Sequence, residues 1–267
     1  MLKIGNEIIT FGQFADGSCH VDIDCSKFEP HAPIVWLYDN DAELVHLWFL
    51  TQHCRDNEGY RRDLSIPFLC NSRMDRTKLP TDVFTLKYFA QMINALHFDK
   101  VETFDAHSDV SAALFNHIHI ISPINLIKEV LKRLDNPIAC LPDEGSMLRY
   151  RGDLPIPTIY GIKSRNWQTQ KVEELILCGA TDKIKNKDIL IIDDICGKGS
   201  TIYYMAKQLK EQGARNIYVY VSHCENTVLK PCIKGKSLMD YDLITKMFTT
   251  NSIYRSEHPK IEVIHNF

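Results

Sequence analysis

The sequence contains no apolar run near the ~18 residues that a membrane-spanning helix needs. Its first residues also lack an apolar stretch behind a basic start, so we expect no secretory signal. Neither charge dominates, because 31 Lys and Arg residues stand against 34 Asp and Glu residues, a formal net charge of −3. This balance disfavours a general nucleic-acid binder but leaves room for a local basic site for phosphate. We therefore expect no membrane and no nucleic-acid partner.

The nine cysteines show no C-x-x-C spacing, so a zinc or redox site of that kind is disfavoured. Their number is odd, and most lie in apolar segments, such as those that end at Cys70 and Cys140. Reduced thiols packed as small hydrophobic side chains are typical of cytosolic proteins. The cysteines therefore predict a cytoplasmic location.

The chain has the composition of an ordinary globular protein, with 45% hydrophobic and 24% charged residues. At 267 residues it is long enough for one large domain or two small ones. Short apolar runs predict strands at 34–38, 64–70, 100–104, 118–121, 138–141, 189–192 and 217–221. Amphipathic stretches predict helices at 42–54, 82–96, 124–134 and 200–212. This alternation predicts an α/β fold with mainly parallel sheets flanked by helices.

A break at Asn136-Pro137 separates two such series of strands and helices. We therefore expect two α/β domains, residues 1–136 and residues 137–267.

The strongest local signal is a strand that leads into two acids, a turn of small residues and a helix. After the apolar run 189–192 come Asp193 and Asp194, then Gly197, Lys198, Gly199, Ser200 and Thr201. We call residues 197–201 the phosphate loop, because small residues before a helix let backbone N–H groups face one anion. The two acids suit ribose hydroxyls or a divalent cation. The alternative is that they only cap a turn.

Neither G-x-x-x-x-G-K-[ST] nor G-x-G-x-x-G occurs, which disfavours a P-loop and a Rossmann dinucleotide site.

Three further polar groups follow apolar segments. Asp105 and His107, two residues apart after the strand at 100–104, could reach one cation or phosphate. Asp143 follows the strand at 138–141 and could equally belong to a simple turn. Lys163 and Arg165, which we expect on a mobile loop with 166–171, could neutralise a transferring phosphoryl group or form a solvated basic turn.

The sequence from the acids to Thr201 resembles the phosphoribosyl pyrophosphate signature of type I phosphoribosyltransferases. The motif order over about residues 14–267 resembles the ribose-phosphate pyrophosphokinases, which are built as a tandem of two such domains. The resemblance implies transfer of diphosphate from ATP to the 1-hydroxyl of ribose 5-phosphate, with Mg²⁺ as cofactor. It also implies a homo-oligomer, a dimer or a hexamer.

The same resemblance implies a role for each motif. The first domain becomes the ATP side: Phe14 and Asp16 lie in a segment similar to F-x-D-G-E, and Arg73 and Asp75 in one similar to A-R-Q-D. The metal set comprises His107 in a D-L-H-A-like segment, its neighbour Asp105, and Asp143 in a P-D-x-G-like turn. Lys163 and Arg165 match the K-x-R of the catalytic loop. Asp193, Asp194 and the phosphate loop become the binding site for the acceptor's ribose phosphate in the second domain.

Several departures from the family pattern keep alternatives open. Glu of the first motif is Ser18, Gln of the second is Met74, and the D-T-x-G-T loop here begins with Gly197 and contains Lys198. The chain also lacks the usual first and last helices, as expected of short, divergent, phage-type members, which would work in a host cytoplasm. Some of these resemble enzymes that pyrophosphorylate ADP-ribose in NAD salvage, and the extra Lys would suit such an acceptor. A phosphoribosyltransferase or a non-catalytic regulatory homologue are further alternatives.

Overall fold

A computed structural model describes residues 1–29, 31–57, 63–165 and 172–267, with side chains in these ranges except 163–165 and 172–175. By its internal contacts the chain divides into two compact units, Met1–Ile121 and Ser122–Phe267. We call them the first and the second unit. Among the described residues, every helix is too short or too polar to cross a bilayer.

The first unit contains eight strands and three α-helices within its described residues, namely β1 Leu2–Ile4, β2 Glu7–Ile9, β3 Gly12–Gln13, β4 Cys19–His20, β5 Ile34–Trp36, α1 Glu43–Asp56, β6 Asp63–Ile66, α2 Thr85–Asn94, β7 Lys100–Phe104, α3 Val110–Leu114 and β8 Ile118–Ile121. Six strands form a sheet of order β2-β1-β5-β6-β7-β8, and β3 and β4 form a small separate hairpin. Strands β5 to β8 are mutually parallel, whereas β1 and β2 are antiparallel additions at one edge.

The second unit contains seven strands and three α-helices within its described residues, namely α4 Ile124–Leu131, β9 Ile138–Leu141, α5 Glu144–Tyr150, β10 Thr158–Arg165, β11 Val172–Gly179, β12 Ile189–Cys196, α6 Ser200–Glu211, β13 Ile217–Cys224, β14 Lys246–Thr250 and β15 Ile261–His265. The strands form one sheet of order β11-β10-β9-β12-β13-β14-β15. Every neighbouring pair is parallel except β10 and β11, which form an antiparallel hairpin. The two sheets therefore confirm the predicted mainly parallel α/β fold.

Strand β12 lies at the centre of this sheet and is buried on both faces. Ile189 and Ile191 pack into the cluster that contains the apolar face of α6. Leu190 and Ile192 pack on the opposite face with apolar residues of α4 and Tyr150 of α5. A parallel strand covered by helices on both sides reads as a continuous apolar run, which is why the sequence shows ILII at this point.

The boundary between the units differs from the predicted one at 136/137. Helix α4 precedes that break, yet its Ile127 and Val130 are fully buried in the second unit's core with Leu190 and Ile192. An amphipathic helix belongs to the unit whose sheet buries its apolar face, so α4 is part of the second unit. The boundary between the units therefore lies between Ile121 and Ser122.

Some element bounds also differ from the sequence-based ones. Strand β6 stops at Ile66 rather than Cys70, because Pro67 has no N–H to offer a ladder. Strand β12 continues past Ile192 to Cys196, so both acids lie inside the strand rather than after it. Lys163 and Arg165 lie in β10 rather than in a loop, which corrects the predicted mobile loop at these two positions. The remainder of that predicted loop, residues 166–171, lies outside the described residues.

Candidate functional site

The phosphate loop follows β12 at the carboxyl edge of the second unit's sheet. β12 pairs in parallel with β9 on one side and β13 on the other, and α6 begins directly after the loop, at Ser200. Open α/β sheets bind ligands at this edge. The first turn of α6 has no side-chain cap, so its N–H groups point out of the helix unpaired by a cap. With Lys198 and Ser200 exposed beside them, these donors suit an anion such as phosphate.

Gly199 makes the turn of the phosphate loop possible. Its φ is +80°, in the left-handed region that residues with a Cβ rarely adopt. A Cβ at this position would also lie 2.5 Å from Cδ2 of Leu238, a fully buried side chain. Both the backbone conformation and the packing against Leu238 therefore require glycine here.

Gly197, at the start of the phosphate loop, lies against an acid from the neighbouring strand. A Cβ at Gly197 would lie 3.4 Å from Oε2 of Glu225 and 3.5 Å from its other two carboxylate atoms. Glu225 follows β13 directly, and its backbone N–H donates to the carbonyl of Cys196 at 2.8 Å. The phosphate loop therefore has a carboxylate beside its first residue.

The two acids of β12 are buried and held in place. Asp193 and Asp194 are 9% and 3% exposed, and Oδ1 of Asp193 accepts the backbone N–H of Asp194 at 3.0 Å. Nη2 of Arg149, on α5, lies 2.7 Å from Oδ1 of Asp194 and donates to it. Burial of a carboxylate is unfavourable without such a partner. The pairing with Arg149 fixes Asp194 and lowers the negative charge of this part of the site.

Asp143 lies at the beginning of α5, where it caps the helix. Its Oδ1 accepts the backbone N–H of Ser146 at 3.0 Å, and Oγ of Ser146 lies 3.2 Å from the backbone N of Asp143. These two contacts form a capping box, which stabilises a helix N-terminus. Asp143 thus has a structural role, and its predicted part in metal binding stays a prediction.

The predicted catalytic pair lies on β10, in the antiparallel hairpin at one edge of the sheet. The backbone of Lys163 pairs with Leu175 and that of Arg165 with Val172, and the register shifts between Ser164 and Arg165. Residues two apart on a strand share a face, unless a bulge changes the direction of the second. The side chains of Lys163 and Arg165 lie outside the described part of the chain.

In the first unit, the segments around Asp75 and His107 come together. Asp75 is buried, at 6% exposure, and accepts hydrogen bonds from Nε and Nη2 of Arg76 at 2.7 and 2.8 Å. Hydrogen bonds from Arg76 and, to a smaller extent, Ser108, together with the charges of Arg76 and His107, lower the pKa of Asp75 to about 2. Arg73 is exposed on the same loop. The structure therefore gathers a basic, polar cluster at the carboxyl edge of β6 and β7.

Asp105 lies directly after β7 and is 4% exposed, with φ of +45°. Its N–H donates to the carbonyl of Ile121 at 2.9 Å, which holds this left-handed residue in place. Such conformations are uncommon for residues other than glycine and concentrate at functional sites.

The Phe14 segment forms the tip of the β3-β4 hairpin. Phe14 is 56% exposed and packs edge-on against His20, with ring centroids 5.0 Å apart. Asp16 accepts hydrogen bonds from the N–H and hydroxyl of Ser18, which lower its pKa. These contacts lie within the hairpin, and the predicted part of Phe14 and Asp16 in ATP binding stays a prediction.

Sequence reasoning missed three charged residues of these sites, namely Arg76, Arg149 and Glu225. Arg76 directly follows the singled-out Asp75, and Glu225 directly follows an apolar strand, the kind of position at which the sequence analysis looked for acids. Both positions were visible signals. Arg149 lies 45 residues from its partner Asp194, and only the parallel order of β9 and β12 brings the two together.

Comparison with known proteins agrees with this architecture. A family model for the phosphoribosyl transferase domain matches residues 125–250. The ribose-phosphate pyrophosphokinase of Thermococcus kodakarensis is 23% identical over 215 residues, covering 79% of this chain and 75% of that protein. The enzyme of the same name from Prochlorococcus marinus is 28% identical over 284 residues, covering 98% and 81%. The crystal structure of phosphoribosylpyrophosphate synthetase from Mycobacterium smegmatis covers 97% of this chain and 86% of its own, with a TM-score of 0.69 at 17% identity.

The parallel sheets, the two acids of β12 and the glycine loop before α6 define a protein of the phosphoribosyltransferase fold class. The relatives cited above, which cover most of the chain at 23% and 28% identity, are both named ribose-phosphate pyrophosphokinase, so the chain is similar to these enzymes over most of its length.

Proposed function

We propose that this protein transfers the diphosphate group of ATP to the 1-hydroxyl of ribose 5-phosphate, giving the 1-pyrophosphate and AMP. The observation that carries the proposal is the carboxyl end of β12 together with the phosphate loop that follows it. This segment combines two fixed acids with an uncapped helix start and lies inside the region that matches the phosphoribosyl transferase family. The relatives over most of the chain are named ribose-phosphate pyrophosphokinases, so the chain is a transferase of the diphosphokinase type.

The acceptor would bind in the second unit. Its 5-phosphate would accept hydrogen bonds from backbone N–H groups of the phosphate loop and of the first turn of α6, and from the hydroxyls of Ser200 and Thr201. Asp193 and Asp194 can accept hydrogen bonds from the ribose hydroxyls. The pairing of Asp194 with Arg149 keeps its carboxylate in one orientation, which positions the sugar for attack.

ATP would bind to the basic cluster of the first unit. Arg73 is exposed for contact with phosphate or base, and Asp75 holds Arg76 by two hydrogen bonds. The 1-hydroxyl oxygen of the acceptor bonds to the β-phosphorus as the bond from that phosphorus to the α–β bridging oxygen breaks. AMP leaves with the bridging oxygen, and the hydroxyl proton passes to solvent. Lys163 and Arg165 would neutralise the charge that develops on the transferring group.

A magnesium ion is the expected cofactor, and it supplies charge neutralisation and alignment of the phosphate oxygens. Among the described residues, no three His, Cys, Asp or Glu side chains are grouped to hold a metal. Magnesium in phosphotransfer sites needs only one or two protein ligands, with substrate phosphates and water completing its shell. Asp105 and His107 in the first unit fit such a sparse donor set. Asp143 in the second unit is a separate candidate ligand.

ADP-ribose is the second acceptor to be considered, because Lys198 is exposed in a loop that lacks an acid of its own. The family resemblance further supports a homo-oligomer in which the exposed Phe14 contacts a second copy, a proposal that light scattering would test.

The deciding experiment is a magnesium-dependent assay of AMP release from ATP with ribose 5-phosphate and ADP-ribose offered separately. AMP with ribose 5-phosphate is the expected result, and an Asp193→Asn variant should lose it. AMP with ADP-ribose alone would change the acceptor but keep the chemistry. No AMP with either would contradict the proposal and favour a phosphoribosyltransferase or a regulatory homologue.

A further inference from the structure

The phosphate loop departs from the D-T-x-G-T pattern of the family it resembles at its first residue. Gly197 stands where the pattern has an acid, so the loop itself carries no carboxylate. The structure nevertheless puts a carboxylate at this point. All three atoms of the Glu225 carboxylate lie 3.4 to 3.5 Å from the position of a Cβ on Gly197, directly beyond the missing side chain.

Glu225 is held in this position by contacts from two directions. Its N–H donates to the carbonyl of Cys196 at 2.8 Å, which ties the end of β13 to the end of β12. Oγ1 of Thr227 donates to Oε2 of Glu225 at 2.8 Å, which orients the carboxylate. Glu225 is only half-buried, so the carboxylate is fixed but accessible from the loop. Fixed groups of this kind bind ligands at low entropic cost.

Gly197 and Glu225 depend on each other for space. An Asp at 197 would extend its own carboxylate toward the Glu225 carboxylate, and two like charges at contact distance repel. The φ of Gly197 lies outside the left-handed region, since Gly199 is the loop's one glycine with positive φ. The backbone therefore tolerates a side chain at 197, and it is Glu225 that makes glycine the better residue there.

We infer that Glu225 supplies, from the neighbouring strand, the carboxylate that the phosphate loop lacks, and that it helps to select and position the acceptor. The inference rests on the proposed function and assigns to that site a residue outside the loop motif. An ionised carboxylate only accepts hydrogen bonds, so Glu225 recognises sugar hydroxyls of the acceptor rather than its phosphate. The negative charge beside the loop also disfavours a phosphate that sits too close to Gly197.

The test compares the natural chain with Glu225→Gln, Glu225→Ala, and the double variant Gly197→Asp with Glu225→Ala. We expect Glu225→Gln to raise the KM for the acceptor about tenfold or more, which is the range for losing a hydrogen bond to a charged group. The KM for ATP should change less than about twofold. The double variant should recover most of the loss seen in Glu225→Ala, because the loop again carries its own acid. Glu211→Gln, at the far end of α6, is the matched control and should change neither KM.

Calorimetric binding of ribose 5-phosphate and of ADP-ribose to the same proteins keeps the inference separate from the proposed reaction. If the natural chain releases no AMP, the proposed function fails, while the effect of Glu225→Gln on acceptor affinity still decides the role of Glu225. An acceptor affinity within about twofold of the natural value in Glu225→Gln would overturn the inference. A double variant that binds acceptor no better than Glu225→Ala would overturn it too. Thermal unfolding of each variant checks that the fold is kept.

Discussion

Nη2 of Arg149 lies 2.7 Å from Oδ1 of Asp194, so an arginine of α5 neutralises the second acid of β12. The side chain of Arg149 is 19% exposed and that of Asp194 is 5% exposed. This ion pair therefore connects a flanking helix to the central strand in a partly desolvated setting.

Replacing Arg149 should both destabilise the fold and weaken acceptor binding. An Arg149→Met variant leaves the buried Asp194 carboxylate without its guanidinium, which we expect to cost about 3 kcal/mol in the free energy of unfolding. Urea denaturation measures this cost. Arg133→Met, which breaks the exposed pair with Glu262, is the control and should cost less than about 1 kcal/mol. Equal losses in the two variants would contradict the proposed role of Arg149.

Gly199 and Gly235 provide a matched pair for testing the turn of the phosphate loop. Their φ values are +80° and +78°, but a Cβ at Gly235 has no heavy atom within 4 Å, whereas one at Gly199 clashes with Leu238. Gly235→Ala should cost about 1 kcal/mol from backbone strain alone. Gly199→Ala should cost about 1 to 3 kcal/mol more from overpacking, and should also weaken acceptor binding. Urea denaturation and acceptor calorimetry would show this, and equal effects of the two substitutions would refute it.

The Asp75–Arg76 pair predicts a specific dependence of stability on pH. The pKa of Asp75 falls from its ordinary 3.8 to about 2 in the folded protein, mainly through the hydrogen bonds from Arg76. Because the folded pKa is the lower one, the pair stabilises the fold above about pH 4, and this stabilisation is lost as the pH falls toward 2. At pH 6, Arg76→Gln should lower the free energy of unfolding by about 1 to 2 kcal/mol, allowing for the exposure of Arg76.

Urea unfolding of this variant between about pH 2.5 and pH 6 measures the effect. The difference from the natural chain should shrink steadily below pH 4. The control is Lys87→Gln, which replaces an exposed lysine of α2. Its free energy of unfolding should differ from that of the natural chain by the same amount at every pH in this range. A difference for Arg76→Gln that stays constant down to pH 2.5 would show that Asp75 keeps its ordinary pKa.

Lys163 and Arg165, the pair on β10, should affect the rate of diphosphate transfer rather than the binding of substrates. Lys163→Ala should lower kcat at least about 100-fold, the effect of removing one group that stabilises transition-state charge, while the KM for ATP changes little. Arg165→Lys should lower kcat less than Arg165→Ala does, because lysine keeps the positive charge. It should still lower kcat relative to the natural chain, because lysine lacks the planar guanidinium that binds two oxygens at once. Lys207→Ala, on the exposed side of α6, is the control. A fully active Lys163→Ala variant would favour the reading as a regulatory homologue.

The fold was largely predictable because its strands are apolar runs between polar breaks. Strands β7, β8 and β9 have the predicted bounds, and the parallel arrangement followed from the alternation with helices. The hairpin of β10 and β11 was not predicted as paired strands, because its tip is polar and periodicity gives no signal there. The assignment of α4 to the second unit depends on which sheet buries Ile127 and Val130, and a local pattern contains no such information.

For the candidate sites, the sequence provides the residues that follow strands but not their partners. Asp105, Asp193 and Asp194 were singled out because they follow predicted strands, where acids are unusual, and Asp75 because its segment resembles a family motif. The structure adds the arginines that hold two of them, at one residue's distance for Arg76 and at 45 residues' distance for Arg149. Asp143 illustrates the opposite case, because a capping residue and a metal ligand look the same in a single sequence.

The central position of β12 has a consequence for how the second unit opens. Amide hydrogens of a strand flanked by parallel neighbours and covered on both faces exchange only when the whole unit unfolds, whereas those at a sheet edge exchange through smaller openings. Strand β12 is the fourth of seven strands, and β11 is at the edge. We therefore expect the acids to sit in the slowest-exchanging part of this unit and the β10–β11 hairpin among the faster parts. Under mild denaturing conditions, transfer activity should then disappear before the capacity to hold a sugar phosphate does.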